Sequence, residues 1–266
     1  MRVSKADIRY LRSLSQKKVR QAERKFILEG WRALKEVLNS SSKVETVAVL
    51  SRYLQDPDYE SILTKLGERG ASIKEVSETE LSQVAETVHA QGVVAVVHQK
   101  TCTLDGFRFG ESSVVIAADA VSDPGNLGSI IRSSDWFDID MVLLGRGCVE
   151  LYNEKVVRST VGSLFHVPIV EGVDLTDALA AMKKKGFSIV AFSGDGRQPY
   201  TRLEASARTV YVLGSEAHGV SREVRSTADA VVRIPRYGKA ESLNVGVACG
   251  IVLAHMRAEK ERRKGD

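Results

Sequence analysis

The sequence predicts an α/β protein with a larger carboxyl-terminal domain built on a parallel sheet and a smaller amino-terminal α/β domain. Short apolar segments rich in β-branched residues recur along the chain, and most are separated by segments with helical periodicity. After residue 113 these apolar segments become nearly continuous, which is typical of parallel strands covered on both faces. The length of 266 residues is also that expected for about two domains.

The amino-terminal part has an α/β alternation of its own. Residues 4–20 are expected to form one basic amphipathic helix, and a helix with an apolar stripe begins at Trp31. The other predicted helices lie near Ser61–Arg69 and Glu78–Thr87, and the predicted strands are Phe26–Gly30, Val44–Leu50, Ala71–Val76 and Val93–Gln99.

A polar stretch with two glycines, Thr103–Ser113, interrupts this pattern. We therefore predict a first domain at 1–102, a linker at 103–112 and a second domain at 113–266. A long apolar helix is expected from Ser242 to Lys260 near the end of the chain. The predicted strands of the second domain read VVIAAD, MVLLG, FHVPIV, SIVAFS, RTVYVLG and ADAVVRIP.

Composition favours a cytoplasmic globular protein that binds neither a membrane nor a metal. The net charge is +4, with 43% hydrophobic and 27% charged residues. The longest apolar stretch, Ser242–Met256, is too short to span a bilayer, and the first residues do not resemble a signal peptide. Three widely spaced cysteines indicate a reducing compartment without disulfides or zinc, and the histidines lack metal-ligand spacing. The cysteines are Cys102, Cys148 and Cys249.

Positive charge is concentrated at the amino terminus. Residues 1–36 hold eleven Lys or Arg and four Asp or Glu. Such a cluster can track a phosphate backbone, although a solvated helix face is the alternative. The predicted RNA-binding residues are Lys17, Lys18, Arg20, Arg24 and Lys25.

Three polar, glycine-containing loops follow apolar strands in the second domain. They read DPGNLGSIIR (Asp123–Arg132), LGSEAHGVS (Leu213–Ser221) and IPRYGKAESLNVGVA (Ile234–Ala248). Loops of this kind at the ends of parallel strands build a ligand crevice. We expect Asn126, Ser221 and Ser242 to cap the helices that follow them.

Charged residues in these loops allow two interpretations. Arg132, about two turns into its helix, can hold phosphate with its guanidinium or form a surface ion pair. Glu216 can pair with Arg132 or a cationic ligand, or be a solvated acid, whereas His218 is interpreted as a turn residue. An apolar lining near Ile234 and Leu243 suits an adenine ring. The chain contains no phosphate-binding P-loop and no dinucleotide-binding glycine motif.

A fourth string, KVVRSTVGSLFHVPI (Lys155–Ile169), lies between the first two loops. In this order, over residues 113–258, the four strings resemble the motifs of the SpoU (TrmH-like) family of RNA 2′-O-ribose methyltransferases in the SPOUT superfamily. FILEGWRALKEVL (Phe26–Leu38) resembles the ribosomal-protein-like RNA-binding domain of rRNA-directed members. One departure is Asp138, where the family usually has Gly, so the end of the preceding helix is expected to differ.

The resemblance implies a deep trefoil knot, bound S-adenosylmethionine, and a homodimer formed through the carboxyl-terminal domain. The residues that it implies for the cofactor are Ser193, Leu213, Gly214, Ile234 and Leu243. The residues at catalytic or near-catalytic positions are Asn126, Arg132, Glu216, Ser242 and Asn244.

The predicted function is S-adenosylmethionine-dependent methylation of a ribose 2′-OH in structured RNA, with 23S-type rRNA favoured. The alternatives are a tRNA methyltransferase and a non-catalytic RNA-binding ribosome-assembly factor. The latter predicts decay of the cofactor motifs, yet Asn126, Arg132 and Glu216 are present. A guanidinium is a poor base at neutral pH, so we favour Arg132 as a phosphate clamp that stabilises the developing alkoxide. The proton acceptor is left open among Glu216, an RNA phosphate and water.

Overall fold

A computed structural model describes residues 1–85, 91–203 and 206–265, which divide into two compact units. The first unit comprises Met1–Lys100 together with Tyr152–His166. The second comprises Thr101–Leu151 together with Val167–Asp266. The first division between the units, at Lys100 and Thr101, lies next to the polar stretch at 103–112, whereas nothing in the sequence pattern indicates the return of Tyr152–His166 to the first unit.

The first unit is built on a four-stranded mixed sheet with strand order β1-β4-β2-β3. Strand β4 is antiparallel to both of its neighbours, and β2 is parallel to β3. The strands are β1 (Lys25–Glu29), β2 (Val44–Leu50), β3 (Ser72–Val76) and β4 (Val93–His98). The helices are α1 (Lys5–Ser13), α2 (Lys17–Glu23), α3 (Trp31–Leu38), α4 (Pro57–Glu68) and α5 (Glu78–Leu81).

The prediction of one helix over residues 4–20 is wrong, because the chain breaks between α1 and α2. Arg20 in α2 is only 3% exposed, and its Nη1 donates to the carbonyls of Leu14 (3.0 Å) and Ser15 (2.6 Å). Carbonyls just past a helix end lack helical partners, and this guanidinium satisfies two of them. The break is therefore stabilised by a long side chain that folds back on it.

Two other predicted helices differ from the structure at their ends. Helix α4 begins earlier than predicted because Asp56 caps it, with its side chain accepting from the Asp58 N–H (3.0 Å), and Pro57 occupies the first position. Helix α5 ends at Leu81 and a turn follows. Residues 86 and 87 of the predicted segment Glu78–Thr87 lie outside the described residues.

The second unit confirms the predicted parallel sheet. Its strand order is β7-β6-β5-β10-β8-β11-β9, and every neighbouring pair is parallel. The strands are β5 (Ser113–Asp119), β6 (Met141–Gly145), β7 (Ile169–Val173), β8 (Ser188–Phe192), β9 (Gln198–Pro199), β10 (Arg208–Gly214) and β11 (Ala230–Arg233). The helices of this unit are α6 (Pro124–Trp136), α8 (Leu175–Lys184), α9 (Arg222–Ser226) and α10 (Val245–Gly265).

The strand order places a switch point between β5 and β10. After β5 the chain adds β6 and β7 on one side, and it then builds β8, β10 and β11 on the other. Ligands of open parallel sheets bind beyond the carboxyl ends of the strands at such a point. The crevice is thus expected where Asp119 and Gly214, which are paired in register, end their strands.

The stretch predicted as a linker packs against the core of the second unit. The ring centroids of Phe107 and Phe109 lie 4.7 Å apart, and Phe109 meets Phe187 at 4.9 Å. Aromatic pairs at these distances bury a large apolar area. The irregular backbone of residues 103–112 is therefore held in place by its side chains.

Helix α7 (Glu154–Thr160) and a following 3-10 turn belong to the first unit. The Tyr152 and Phe165 rings lie 4.7 Å and 6.4 Å from the Phe26 ring of β1. The prediction of a strand beginning at Phe165 is wrong, because that ring enters the core of the first unit and β7 begins only at Ile169. No helix among residues 1–85, 91–203 and 206–265 is long and apolar enough to cross a membrane.

Helices α6 and α10 pack closely at a position without a side chain. A Cβ added to Gly246 would lie 2.9 Å from the Ser129 Cβ. At the other end, Arg257 Nε donates to the Phe137 carbonyl (2.6 Å), just where α6 ends. Asp138 has a φ of 50°, so it takes the left-handed conformation that Gly would adopt at little cost. Asp138 therefore takes the place of the Gly that is usual in the family without extending α6.

We expect Gly162→Ala to destabilise the first unit more than Gly70→Ala. Both glycines have positive φ (101° and 90°), but only at Gly162 would a Cβ overlap another side chain, that of Glu36. Backbone strain should cost about 1–2 kcal/mol in each variant, and overpacking should add about 1–3 kcal/mol at residue 162. Urea unfolding of both full-length variants measures the difference, and equal losses would contradict the packing seen at Gly162.

Candidate active site

Three of the predicted catalytic residues form a chain of hydrogen bonds. The Asn244 Nδ2 donates to Asn126 Oδ1 (2.6 Å), and Asn126 Nδ2 donates to Glu216 Oε1 (2.6 Å). Asn126 follows β5, Glu216 follows β10, and Asn244 precedes α10. The carboxyl-end loops of the two strands at the switch point are thereby joined to the start of the last helix.

Asn244, and not Ser242, caps helix α10. Its Oδ1 accepts from the N–H groups of Gly246 (2.9 Å) and Val247 (3.2 Å), and the helix begins at Val245. The prediction of Ser242 as the cap is wrong, because that residue lies two positions before Asn244 in an exposed loop. Asn244 thus uses its carbonyl oxygen for the helix and its amide for Asn126.

Asn126 was expected to cap α6, but Asp123 does so. The Asp123 Oδ1 accepts from the Asn126 N–H (2.8 Å), and Pro124 fills the first helical position. This correction matters for the site because the Asn126 side chain is not used by its own helix. Both ends of that side chain amide remain available for Asn244 and Glu216.

The loop after β10 folds against its own backbone. Residues 216–218 form a turn between Ser215 and Gly219, which exchange two backbone hydrogen bonds (3.0 and 2.9 Å). A Cβ on Gly214 would overlap the backbone at Gly219 and Val220. Gly214 is one of the predicted cofactor residues, but the space where a side chain would lie is occupied by the backbone of Gly219 and Val220. His218 lies in the turn as interpreted from the sequence.

Asp119 fixes the far end of this loop, a role that the sequence interpretation missed. The side chain is 8% exposed, and its Oδ2 accepts from the Ser221 N–H (2.7 Å). Ser221 precedes α9, but its side chain makes no capping hydrogen bond, contrary to expectation. The available signal was a carboxylate at the end of an otherwise apolar strand.

Arg132 is exposed in the third turn of α6. Within the residues that the structure describes, its guanidinium makes neither a hydrogen bond nor an ion pair. Glu216, one of its possible partners, bonds to Asn126 instead. Arg132 therefore presents its planar set of donors to solvent, where an anionic group can be bound bidentately.

Four of the five predicted cofactor residues, all except Leu243, lie at the carboxyl ends of three neighbouring strands, β10, β8 and β11. Ser193 follows β8, and its N–H donates to the Val232 carbonyl of β11 (2.9 Å). Ile234 follows β11 and is half-buried. Leu213 is 2% exposed, so its side chain belongs to the core and only its backbone can meet a ligand.

Leu243 is 51% exposed and lies in the loop between β11 and α10. Half-exposed apolar side chains at Ile234 and Leu243 fit the flat adenosine part of S-adenosylmethionine, which needs an apolar slot and backbone hydrogen bonds. A Cβ on Gly194, next to Ser193, would meet open space. The residues present are therefore suited to this cofactor.

The loop after β8 is held rigidly. The Ser193 hydroxyl donates to Asp195 Oδ1 (2.5 Å), and Arg225 Nη1 donates to Asp195 Oδ2 (2.9 Å). These two hydrogen bonds hold the pKa of Asp195 below its usual value, and the bond from Ser193 has the larger effect. Arg233 Nη1 donates to the Gly196 carbonyl (2.5 Å). A side chain from α9 and one from β11 thus hold the loop after β8 in place.

The predicted RNA-binding residues do not all reach the surface. Lys17, Lys18 and Arg24 are exposed. Arg20 in α2 is buried, with its guanidinium bonded to the segment between α1 and α2, so its inclusion in an RNA-binding surface is wrong. Lys25 is half-buried with Nζ 2.7 Å from Glu45 Oε2, a contact that raises its pKa.

The described residues include no group of three or more His, Cys, Asp or Glu placed to hold a metal ion. The cysteines Cys102, Cys148 and Cys249 are free thiols. Burial raises the pKa of Cys148 to about 11, so this thiol is protonated at neutral pH.

Comparisons with known proteins extend these observations. The model of the SpoU rRNA methylase family matches residues 113–254, and that of the MRM3-like substrate binding domain matches residues 5–95. The 23S rRNA (guanosine(2553)-2′-O)-methyltransferase RlmP of Bacillus subtilis strain 168 is 32% identical over 246 residues, which cover 92% of this chain and 94% of the relative.

Two crystal structures differ in how much of the chain they match. The AdoMet-bound rRNA methyltransferase from Sinorhizobium meliloti has a TM-score of 0.87 and 30% identity, and the match covers 97% of each chain. The TrmH/SpoU tRNA modifying enzyme of A. aeolicus has a TM-score of 0.51 and 31% identity, and the match covers 57% of this chain and 78% of that one.

These matches confirm the resemblance drawn from the four sequence strings. The family model spans more than half of the 266 residues, and it includes the loops that carry Asn126 and Glu216. With two relatives that align over at least nine-tenths of its length, this chain belongs to the SpoU rRNA methylase family.

Proposed function

We propose that this protein transfers a methyl group from S-adenosylmethionine to a ribose 2′-OH in rRNA. The observation that carries the proposal is the hydrogen-bonded group of Asn244, Asn126 and Glu216 at the carboxyl ends of β5 and β10. Arg132, on the helix that carries Asn126, has no partner within the described part of the chain and can bind an RNA phosphate. A chain that had lost catalysis would have no need to retain this polar group.

The chemistry requires the 2′-OH to lose its proton as its oxygen attacks the methyl group in line. Arg132 holds the adjoining phosphate and stabilises the developing negative charge. Glu216 Oε1 is oriented by Asn126, whereas Oε2 accepts no hydrogen bond from any described residue. We assign Oε2 of Glu216 as the acceptor of the ribose proton.

S-Adenosylmethionine supplies an electrophilic methyl group on sulfur. In our proposal, its adenosine part lies against Ile234 and Leu243, and the backbone at Ser193, Leu213 and Gly214 forms its hydrogen bonds. We also propose that the second unit contains a deep trefoil knot. The proposal of a knot is supported by the parallel strand order and by the similarity to the Sinorhizobium meliloti structure.

We further propose that two copies associate through α6 and α10. Trp136 on α6 is 84% exposed, and Val247 on α10 is 52% exposed. Large apolar side chains on two packed helices are a typical surface for self-association. Asn126 lies on α6 and Asn244 directly precedes α10, so a second copy there would adjoin the site.

The preference for rRNA over tRNA is also a proposal. It is supported by the match of residues 5–95 to a substrate-binding domain. It is also supported by the tRNA modifying enzyme of A. aeolicus, which matches only 57% of this chain. Lys17, Lys18 and Arg24 are exposed in the first unit and can contact RNA phosphates. We also propose a cytoplasmic location for the enzyme. Mapping 2′-O-methyl groups in rRNA and tRNA from a strain that lacks the gene tests the preference for rRNA, because the missing modification identifies the substrate.

Leu243→Arg should abolish S-adenosylmethionine binding. A guanidinium in the apolar adenosine slot would be desolvated without a partner. Tyr237→Arg is the control, since Tyr237 is 96% exposed in the same loop. Calorimetry on the full-length proteins should show binding to the wild type and to the control only. Wild-type affinity in Leu243→Arg would contradict the placement of the cofactor.

Arg132→Ala should lower methyl transfer at least about a hundredfold, the scale expected for loss of one electrostatic stabiliser, with cofactor affinity retained. Arg132→Lys should restore activity only in part, because Lys lacks the planar fork. Arg146→Ala, which removes an exposed arginine paired with Asp174, is the control. Transfer of labelled methyl groups to rRNA from the deletion strain measures all three. Full activity of Arg132→Ala would remove its catalytic role.

Asn244→Asp and Asn244→Ala should separate helix capping from orientation of Glu216. Asp retains the oxygen that caps α10 but loses the amide that donates to Asn126, whereas Ala loses both. We expect Ala to cost about 1 kcal/mol in unfolding free energy and Asp less than about 0.5 kcal/mol. Both should lower methyl transfer about tenfold, the size of one hydrogen bond. If Asp retains wild-type activity, the hydrogen-bond chain has no catalytic importance.

A further inference from the structure

A groove of about 670 Å³ runs along α1 in the first unit. We call it the α1 groove. Its lining comes from α1, from the turn before α2, and from α5 with the turn that follows. The buried Ile8 forms part of its floor, and charged residues form its walls. None of the residues proposed above for catalysis, cofactor or RNA lines it.

Three cations of the groove lie on one face of α1. Lys5, Arg9 and Arg12 are spaced by four and three residues, so they follow one another along the same side of the helix at intervals of about 6 Å and 4.5 Å. All three side chains are exposed. Among the residues that the structure describes, none of the three has an ion-pair partner.

The acidic residue of α1 does not neutralise these cations. Asp7 is held by Lys74 Nζ at 2.7 Å, and this hydrogen bond lowers the pKa of Asp7 to about 2. The carboxylate is therefore ionised at neutral pH and paired with a lysine that is not part of the groove. The charge of Lys5, Arg9 and Arg12 remains available to a ligand.

Glu80 is the one carboxylate in the described lining, and it is engaged elsewhere. Its Oε2 accepts from the N–H (2.9 Å) and the hydroxyl (2.7 Å) of Ser77 as part of the cap of α5. The groove therefore carries a net positive charge. The exposed amides of Gln16 and Gln83 add hydrogen-bonding groups that have no partner in the described part of the chain.

We infer that the α1 groove binds the phosphodiester backbone of the RNA substrate and orients it. This inference rests on the proposed function. Arginine forks bind phosphate bidentately, and amides can bond ribose hydroxyls, whereas the described lining has no aromatic side chain on which a base could stack. The groove therefore positions RNA without reading its sequence. Lys17 and Lys18 directly follow Gln16 and continue the basic surface.

The test compares two full-length triple variants. The groove variant is Lys5→Gln, Arg9→Gln and Arg12→Gln. The control is Lys65→Gln, Arg32→Gln and Arg69→Gln, which removes the same residue types from exposed positions of the first unit outside the groove. The probe is protein-free 23S rRNA from the deletion strain, bound across a salt series. S-Adenosylmethionine affinity and thermal unfolding of both variants are measured alongside.

We expect the groove variant to bind rRNA at least about tenfold more weakly at 50 mM salt. The slope of log affinity against log salt should fall by about 2–3, since each lost phosphate contact removes about 0.7–0.9. The control should keep most of its affinity and slope, and cofactor affinity should be unchanged in both variants. A second variant, Arg9→Lys with Arg12→Lys, should keep the slope because its charge is retained, while affinity falls with loss of the bidentate geometry.

Two outcomes would contradict RNA binding by the α1 groove. One is wild-type RNA affinity and slope in the groove variant, and the other is an equal loss in the control, which would mean that net charge alone matters. Methyl transfer by the wild type is measured separately. In a further outcome, the wild type transfers no methyl group to rRNA while the groove variant still shows weaker rRNA binding and a smaller salt dependence. That result would contradict the proposed function but support RNA binding by the α1 groove.

Discussion

The candidate site depends on two side-chain amides that join segments far apart in the chain. Asn244 and Asn126 are 118 residues apart, and Asn126 and Glu216 are 90 apart. Each amide accepts at its oxygen and donates at its nitrogen, so the donors point in one direction, from the first turn of α10 to the Glu216 carboxylate. Hydrogen bonds arranged in this way polarise one another. These hydrogen bonds thus fix the loops after β5 and β10 relative to the start of α10.

This arrangement is possible only because backbones approach closely at two glycines. Gly246 lets α10 lie against α6 near Ser129, which brings Asn244 within reach of Asn126. Gly214 lets the loop that carries Glu216 fold back on β10. A Cβ at either position would need room that the neighbouring chain occupies. The absence of a side chain at these two points therefore sets the geometry of the polar group formed by Asn244, Asn126 and Glu216.

The local elements were predictable from the sequence, and the long-range contacts were not. Apolar runs predicted the parallel strands, and glycine and polar residues predicted the loops that follow them, because both signals are local. The helix break near Arg20, the cap by Asn244 and the anchor at Asp119 depend on partners that periodicity does not reveal. The strand order β7-β6-β5-β10-β8-β11-β9 likewise follows from packing, and the two-residue β9 is too short for any pattern.

The methylase stretch in the sequence and the folded unit that contains the site are not the same set of residues. Tyr152–His166 lies inside the matched stretch 113–254 but packs with the first unit, where Phe26 receives Tyr152 and Phe165, and Glu36 meets Gly162. Recombination that joined this methylase stretch to a different amino-terminal domain would leave these apolar side chains without a core. Exchange of substrate-binding domains in this architecture therefore requires a matched substitution within the catalytic half of the gene.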